Sequence, residues 1–192
     1  MRVVAGSAGG RTLRAPKGSA TRPTSDRVRE ALFSILESLA PDVSGERAGE
    51  RGGVAGRRVL DLFAGSGALA IEALSRGARA ATLVDVSPSA IAAIRANLDD
   101  LALEAEVVRR PALAFLATAR AGARQYDLVF VDPPYRLASE LGPRLSGALH
   151  DVLAPGATVV VECDRRAPLN LELPLLTQRR YGDTVIRIHG SR

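Results

Sequence analysis

The sequence predicts an α/β fold: a doubly wound, mostly parallel sheet of seven strands, with a small amino-terminal hairpin-plus-helix appendage. Three observations carry this. From residue 57 onward, short apolar runs alternate with longer stretches of helical period, the pattern of strands joined by crossover helices. The run Leu128-Val129-Phe130-Val131 has no polar alternation, as expected of a central parallel strand covered on both faces. A glycine turn follows the first of these strands and a proline pair follows the fourth, at the carboxyl ends where open α/β sheets bind ligands.

The elements follow in order. Val3-Val4 and Thr12-Leu13 flank Gly6, Gly9 and Gly10, which predicts a small hairpin. Residues 24 to 40 form a helix with Thr24 or Ser25 as N-cap, Asp26 in the first turn, and Val28, Leu32, Ile35, Leu36 and Leu39 along one face. Residues 41 to 56 are polar and glycine-rich without a period, so a mobile connector is expected between a 1–40 appendage and a 57–192 main domain. There, a strand at 57–63 runs into Gly65-Ser66-Gly67 and a helix at 68–76. A strand at 80–86 and a helix at 87–101 come next, the latter with Ile91, Ile94 and Leu98 on one face. A strand at 105–109, a helix at 112–121, the 126–131 strand, a helix at 137–152 and a strand at 157–162 complete the alternation. Residues 171 to 190 read as two strands about a turn at Tyr181-Gly182-Asp183, adding an antiparallel edge.

At 192 residues and 46% hydrophobic composition, the chain supports one domain with a full core. A single cysteine, Cys163, excludes an internal disulfide and fits a reducing compartment. No apolar stretch reaches membrane-spanning length and the amino terminus lacks a secretory pattern, so a cytoplasmic monomer is expected. His150 and His189 lie far apart without a ligand pattern; surface histidines and no metal are expected. Charge is uneven. Residues 1 to 29 hold seven basic side chains against Asp26 alone, whereas residues 30 to 192 balance to −1. Positive charge concentrated on one element is the footprint of a phosphate-binding surface, although a solvated basic tail has the same composition. The candidate nucleic-acid contacts are Arg2, Arg11, Arg14, Lys17, Arg22, Thr24 and Arg27. No aromatic ring precedes Phe33, which favours gripping of backbone over stacking of bases.

The chemistry is concentrated in two loops. Asp132-Pro133-Pro134-Tyr135 ends the fourth strand with one carboxylate, carbonyls outside the ladder and one ring, held stiffly because each proline fixes its φ. An exocyclic amine on a nucleobase has its lone pair delocalised into the ring and attacks poorly. Asp132 and the Pro133 carbonyl are acceptors that can localise that pair, and Tyr135 offers a face on which a flipped base can stack. The bare tetrapeptide also fits a plain proline turn. Upstream, Gly65-Ser66-Gly67 with Ala70 fits a nicotinamide fingerprint as well. Asp61 argues against that, since an anion before the glycines repels a pyrophosphate but attracts the ammonium and sulfonium of S-adenosylmethionine. Asp85 ends the second strand, where an acid holds ribose hydroxyls in dinucleotide folds; a helix N-cap is its other reading.

Together, a D-x-F-x-G-x-G turn, an acid after the second strand and D-P-P-Y after the fourth resemble the Rossmann-like class I S-adenosylmethionine-dependent methyltransferases that act on amines. The opening segment RVVAGSAGGRTLRAPKGSATRPTSDRVREALFSIL is similar to the amino-terminal signature of the RsmD family of bacterial 16S rRNA (guanine-N2) methyltransferases, and the likeness covers essentially the whole chain. The resemblance implies transfer of one methyl group to N2 of guanine 966 in 16S rRNA, free or within an assembling small subunit. It implies Asp132, Pro133, Pro134 and Tyr135 as catalytic residues. It implies Asp61, Phe63, Ala64, Gly65, Ser66, Gly67, Asp85, Val86, Ala112 and Asp132 as contacts of the cofactor. One departure is Arg109-Arg110-Pro111-Ala112, which stands where such enzymes often present a polar or acidic residue to adenine; Asn97 is read as structural. The rivals are a DNA amino-methyltransferase, a protein glutamine methyltransferase, whose loop of this type usually begins with asparagine, and a nucleic-acid-binding protein without catalysis. Cytosine-C5 methylation is disfavoured because Cys163 follows a different strand.

Overall fold

A computed structural model describes residues 1–16, 25–39, 53–134 and 137–191. Helix α1 (Asp26–Ser38) precedes an alternation of β1 (Arg58–Leu62), α2 (Ala68–Ser75), β2 (Ala80–Asp85), α3 (Pro88–Leu101), β3 (Glu106–Arg109), α4 (Ala112–Ala121), β4 (Tyr126–Val131), α5 (Ala138–His150) and β5 (Leu153–Asp164). The chain ends on β6 (Leu175–Tyr181) and β7 (Thr184–Gly190). The seven strands form one sheet in the order β3-β2-β1-β4-β5-β7-β6. All pairs from β3 to β5 are parallel, and β7 runs antiparallel to both β5 and β6. The doubly wound sheet and its antiparallel edge are as the sequence predicts. The strand order reverses between β1 and β4, which opens the ligand crevice at their carboxyl ends.

Period-two alternation divides the core. Val59, Leu83, Leu128, Phe130, Val160, Ile186 and Ile188 face one layer with α1, α2 and α3, while Leu60, Leu62, Val84, Val129, Val131, Val159 and Val161 face α4 and α5. Both faces are covered, which is why β4 lacks polar alternation.

Helix α1 begins as expected, with Ser25 Oγ accepting from Val28 N at 3.3 Å. Its buried face, however, is Arg29, Leu32, Phe33 and Leu36, and Leu39 is exposed. The inward stripe is rotated because Phe33 packs on Phe130, ring centroids 5.9 Å apart, and draws that face of the helix to the sheet. A guanidinium rides inward with it: Arg29 donates to Asp26 Oδ1 at 2.8 Å and to the Arg2 carbonyl. Val3, Ala8 and Leu13 join the same core layer. The predicted hairpin is a short antiparallel contact, with Arg2 bridged to Thr12 and Val3 N donating to Arg11 O at 2.9 Å.

Residues 41–52 of the expected connector lie outside the described residues. Gly53 and Val54 are described, and Val54 is buried. His150 is exposed as expected, but His189 is not a surface residue: it is buried on β7 with Nδ1 against the Leu173 carbonyl at 3.0 Å, and burial pushes its pKa down. Cys163 is buried on β5. No helix among the described residues is long and apolar enough to cross a membrane.

Candidate active site

β1 delivers the chain into the glycine turn. Phe63 has φ 67°, an uncommon conformation for a side-chain-bearing residue, and Gly65 and Gly67 follow at 56° and 80°. Gly67 has a second reason to be glycine, because a Cβ there would stand 2.9 Å from Leu83 Cδ2 and 3.2 Å from Ile71 Cδ1. The turn closes with Gly67 N on Ala64 O at 2.7 Å, and α2 starts at once with its amino end toward the crevice.

Four carboxylates meet at this edge. Asp61, Asp85 and Glu162 lie at or near the carboxyl ends of apolar strands, two residues past Val59, Leu83 and Val160, so alternation puts all three on the α1–α3 face of the sheet. Asp132, two past Phe130, continues the same face beyond β4. The pairing of Leu62 with Val131, and of Val131 with Val161, brings these strand ends level.

Asp61 is 1% exposed, and its Oδ2 accepts from Ala70 N at 3.2 Å, in the first turn of α2. Burial raises its pKa to about 7, and the Asp85 carboxylate adds to the rise against the Ala70 hydrogen bond. Asp132 is partly exposed, yet desolvation of its carboxyl, then the Glu162 and Asp61 charges, hold its pKa well above the usual carboxylate range. Asp85 is anchored at both oxygens: Oδ2 accepts from Gly65 N at 2.9 Å and Oδ1 from Ser87 N at 2.8 Å. The N-cap of α3 is Ser87, whose Oγ accepts from Ala90 N at 3.4 Å. Asp85 therefore ties the glycine turn to β2, and each oxygen keeps a second lone pair with which to accept a hydroxyl.

Val86 is 58% exposed just beyond Asp85. Arg110 N donates to the Asp85 carbonyl at 3.0 Å while its guanidinium turns away to Thr118 Oγ1 at 2.8 Å, which leaves Pro111 and buried Ala112 at the rim of the crevice. Ala64 is buried, and Ser66 Oγ lies 3.8 Å from Met1 Sδ. Pro133 is buried and Pro134 half-buried, with the Pro134 carbonyl taken by Leu137 N at 2.8 Å. Tyr135 lies outside the described residues, as do Lys17, Arg22 and Thr24.

The remaining amino-terminal arginines are only partly at liberty. Arg14 pairs with Asp100 at 2.7 Å, Arg11 donates to the Asp100 carbonyl at 2.6 Å, and Arg2 lies 3.5 Å from Asp26; Arg27 is exposed. Three residues absent from the predicted site hold this segment in place or shape the crevice. Glu72 is buried and accepts from Val4 N at 2.7 Å and Ala5 N at 3.0 Å. Asn97, read from sequence as structural, accepts from Arg14 N at 2.8 Å and donates to the Arg14 carbonyl at 3.0 Å and the Ser66 carbonyl at 2.9 Å. It clamps the basic segment to the glycine turn. Glu162 was legible, because Val159-Val160-Val161-Glu162 repeats the apolar-run-then-acid pattern of β1 and β2.

Clustered acids, with Asp61 and Asp132 raised in pKa, fit a cationic ligand, and the glycine turn beside Asp85 fits a ribose. Among the described residues, no group of three or more His, Cys, Asp or Glu is placed to hold a metal ion.

Known proteins resemble this chain in sequence and in fold. The profile of the family described as "Conserved hypothetical protein 95" matches residues 1–190. YlbH of Bacillus subtilis (strain 168) is 35% identical over 202 aligned positions, covering 100% of both chains. The ribosomal RNA small subunit methyltransferase D of Escherichia coli (strain K12) is 39% identical over 137 residues, 71% of this chain and 61% of that one. The solved structure of a hypothetical protein of Thermus thermophilus superposes with a TM-score of 0.80 at 30% identity, covering 98% of each chain. Matched from end to end in sequence and in fold, the chain belongs to this family, the RsmD family.

Proposed function

We propose that the protein methylates the exocyclic N2 amine of a guanine in small-subunit ribosomal RNA, with S-adenosylmethionine as donor. The observation that carries this reading is the convergence of Asp61, Asp85 and Asp132 on one face of the sheet at the β1/β4 crevice, beside a glycine turn and a proline-locked loop. The activity named for the E. coli relative agrees with it. S-Adenosylmethionine, when bound, supplies a methyl group already activated on a sulfonium. Asp85 would accept the ribose hydroxyls, Asp61 would face the cationic portion, and Phe63, Ala64, Gly65, Ser66, Gly67, Val86 and Ala112 would line the cradle. Asp132 and the Pro133 carbonyl would each accept a hydrogen bond from one of the two amine N–H groups, which localises the nitrogen lone pair toward the methyl carbon. As the N–C bond forms and the methyl–sulfur bond breaks, its electron pair staying on sulfur as a neutral thioether, Asp132 would take the proton that the amine sheds; burial and the Glu162 and Asp61 charges raise its pKa, which makes it a stronger base. Pro133 and Pro134 hold these acceptors still, and Tyr135 would stack on the extruded base.

The test is transfer of labelled methyl from S-adenosylmethionine to naked 16S rRNA, to 30S particles and to DNA, followed by mapping of the modified nucleotide. Label on a guanine N2 in rRNA or 30S is the expected result. Label in DNA alone, or on a ring carbon, would refute the reading.

Asp61 gives the binding a pH dependence. With its free pKa near 7, it must lose a proton to face a cation, so affinity for S-adenosylmethionine should fall as pH drops below about 7, by at most about tenfold per unit. Calorimetry near pH 6 in two buffers of different ionisation enthalpy should register proton release. Identical heats in both buffers would remove Asp61 from the cation site.

A further inference from the structure

The carboxyl edge of the sheet does not stop at β4. β5 leaves the sheet at Asp164 into Arg165-Arg166, and β7 enters it alongside, Asp164 pairing with Thr184. Arg165 N donates to the Asp183 carbonyl at 2.9 Å, which fastens the β6–β7 turn to the exit of β5. β7 is two strands away from β4, so this turn lies about 10 Å along the same edge from Asp132. Arg165, Arg166 and Arg180 are all exposed here. The local acids are poorly placed to neutralise them. Asp164 spends Oδ1 on the Arg166 backbone N–H at 2.7 Å, and Asp183 reaches Arg165 only at 3.9 Å. Arg180 Nε donates to the Gly182 carbonyl at 2.8 Å, which holds its guanidinium at the turn.

We propose that Arg165, Arg166 and Arg180 form a second phosphate-binding rim, which holds RNA backbone on the β5 side of Asp132. This rests on the reading of RNA as substrate. The amino-terminal arginines Arg11 and Arg14 are fixed to Asp100 on α3, over the half of the sheet that runs from β1 to β3. The rim stands on the other half, so the reacting edge lies between two basic surfaces. A strand that delivers one base into the crevice has backbone on both sides of that base, and a guanidinium fork matches a phosphate in two hydrogen bonds. Charged residues also protect exposed sheet edges from pairing with other chains, and β6 is such an edge. That role accounts for Arg180 alone, because Arg165 and Arg166 lie in the turn after β5 and not on the edge strand.

The experiment compares the full-length protein with Arg165→Gln/Arg166→Gln/Arg180→Gln and with Arg11→Gln/Arg14→Gln, measuring affinity for a 16S rRNA transcript across a range of KCl concentrations. Each lost single-strand phosphate contact flattens the plot of log affinity against log salt by about 0.7, so the triple variant should lose about 2 from the slope. Its affinity for S-adenosylmethionine and its turnover at saturating RNA should stay within about twofold, with the loss expressed in KM. A slope equal to wild type overturns the rim, and does so whether or not the variant self-associates on a sizing column, which would mark the arginines as edge protection. A flattened slope in the amino-terminal variant with none in the triple variant rejects the rim while sparing the RNA reading. Absence of salt-dependent rRNA binding in the unaltered protein rejects both.

Discussion

Asp132→Ala is expected to lower turnover by about 10²- to 10⁴-fold, the range for loss of a positioned proton acceptor, which corresponds to about 3–5 kcal/mol of barrier. Cofactor binding should survive. Asp85, through which the crevice would hold the ribose, is fixed by Gly65 N and Ser87 N and does not depend on Asp132. Fold stability should not fall either, since the carboxyl is desolvated and faces the charges of Glu162 and Asp61. Removing it relieves repulsion, and at neutral pH the alanine protein should resist urea at least as well as the parent. Asp132→Asn separates the two parts of the role: its amide carbonyl still accepts a hydrogen bond from the amine but cannot take the proton, so its turnover should lie between the other two. Single-turnover methyl transfer to rRNA, calorimetry of the cofactor and urea unfolding check these four statements. Turnover within fivefold of the parent in Asp132→Ala would show that another group accepts the proton.

Phe33→Ala is the substitution with the largest expected cost to folding, about 3–5 kcal/mol. The ring is fully buried, packs at 5.9 Å on Phe130 of the central strand, and lies under the Arg76 guanidinium at 4.9 Å. It is the joint between α1 and the sheet. Because α1 shares its core layer with β4, β5 and β7, the loss should appear as a shift of one cooperative urea transition and not as early melting of a separate helix. The amino end of α1 would be displaced with it, so rRNA affinity should weaken even where the sheet remains folded. A loss below about 1 kcal/mol, or two resolved transitions, would mean that α1 is only loosely attached.

Much of this was legible in the residues because periodicity is local. The apolar runs that make β1, β2 and β4, the glycines after β1 and the prolines after β4 each declare their structure within a few positions, and the predicted elements lie within four residues of those observed. What one element does to another was harder to read. The inward face of α1 could not be chosen between Leu39 and Phe33 from spacing alone, since both fit a helical stripe, and the decision belongs to Phe130, 97 positions away. The engagement of Arg11 and Arg14 by Asp100 depends on where α3 ends beside the amino-terminal segment. The raised pKa of Asp132 depends first on burial under neighbouring elements and then on the charge of Glu162, which reaches it through the β4–β5 register. Each is a property of pairs distant in sequence, and composition does not carry it.

The attachment of the first residues also sets an order of events during synthesis. Val4 and Ala5 bond to Glu72, Ala8 to Ser75, Arg11 to Asp100 and Arg14 to Asn97, separations of 67 to 89 positions. At about 5–20 residues per second, the leading segment waits several seconds for its partners to be made. Until α3 is complete, Val3 and Leu13 lack much of the layer they enter, Phe33 waits longer still for Phe130 on β4, and the basic segment has no fixed shape with which to meet a phosphate chain. The basic segment is therefore competent only after the strands that carry Asp61 and Asp85 have been made, although it precedes both in the chain.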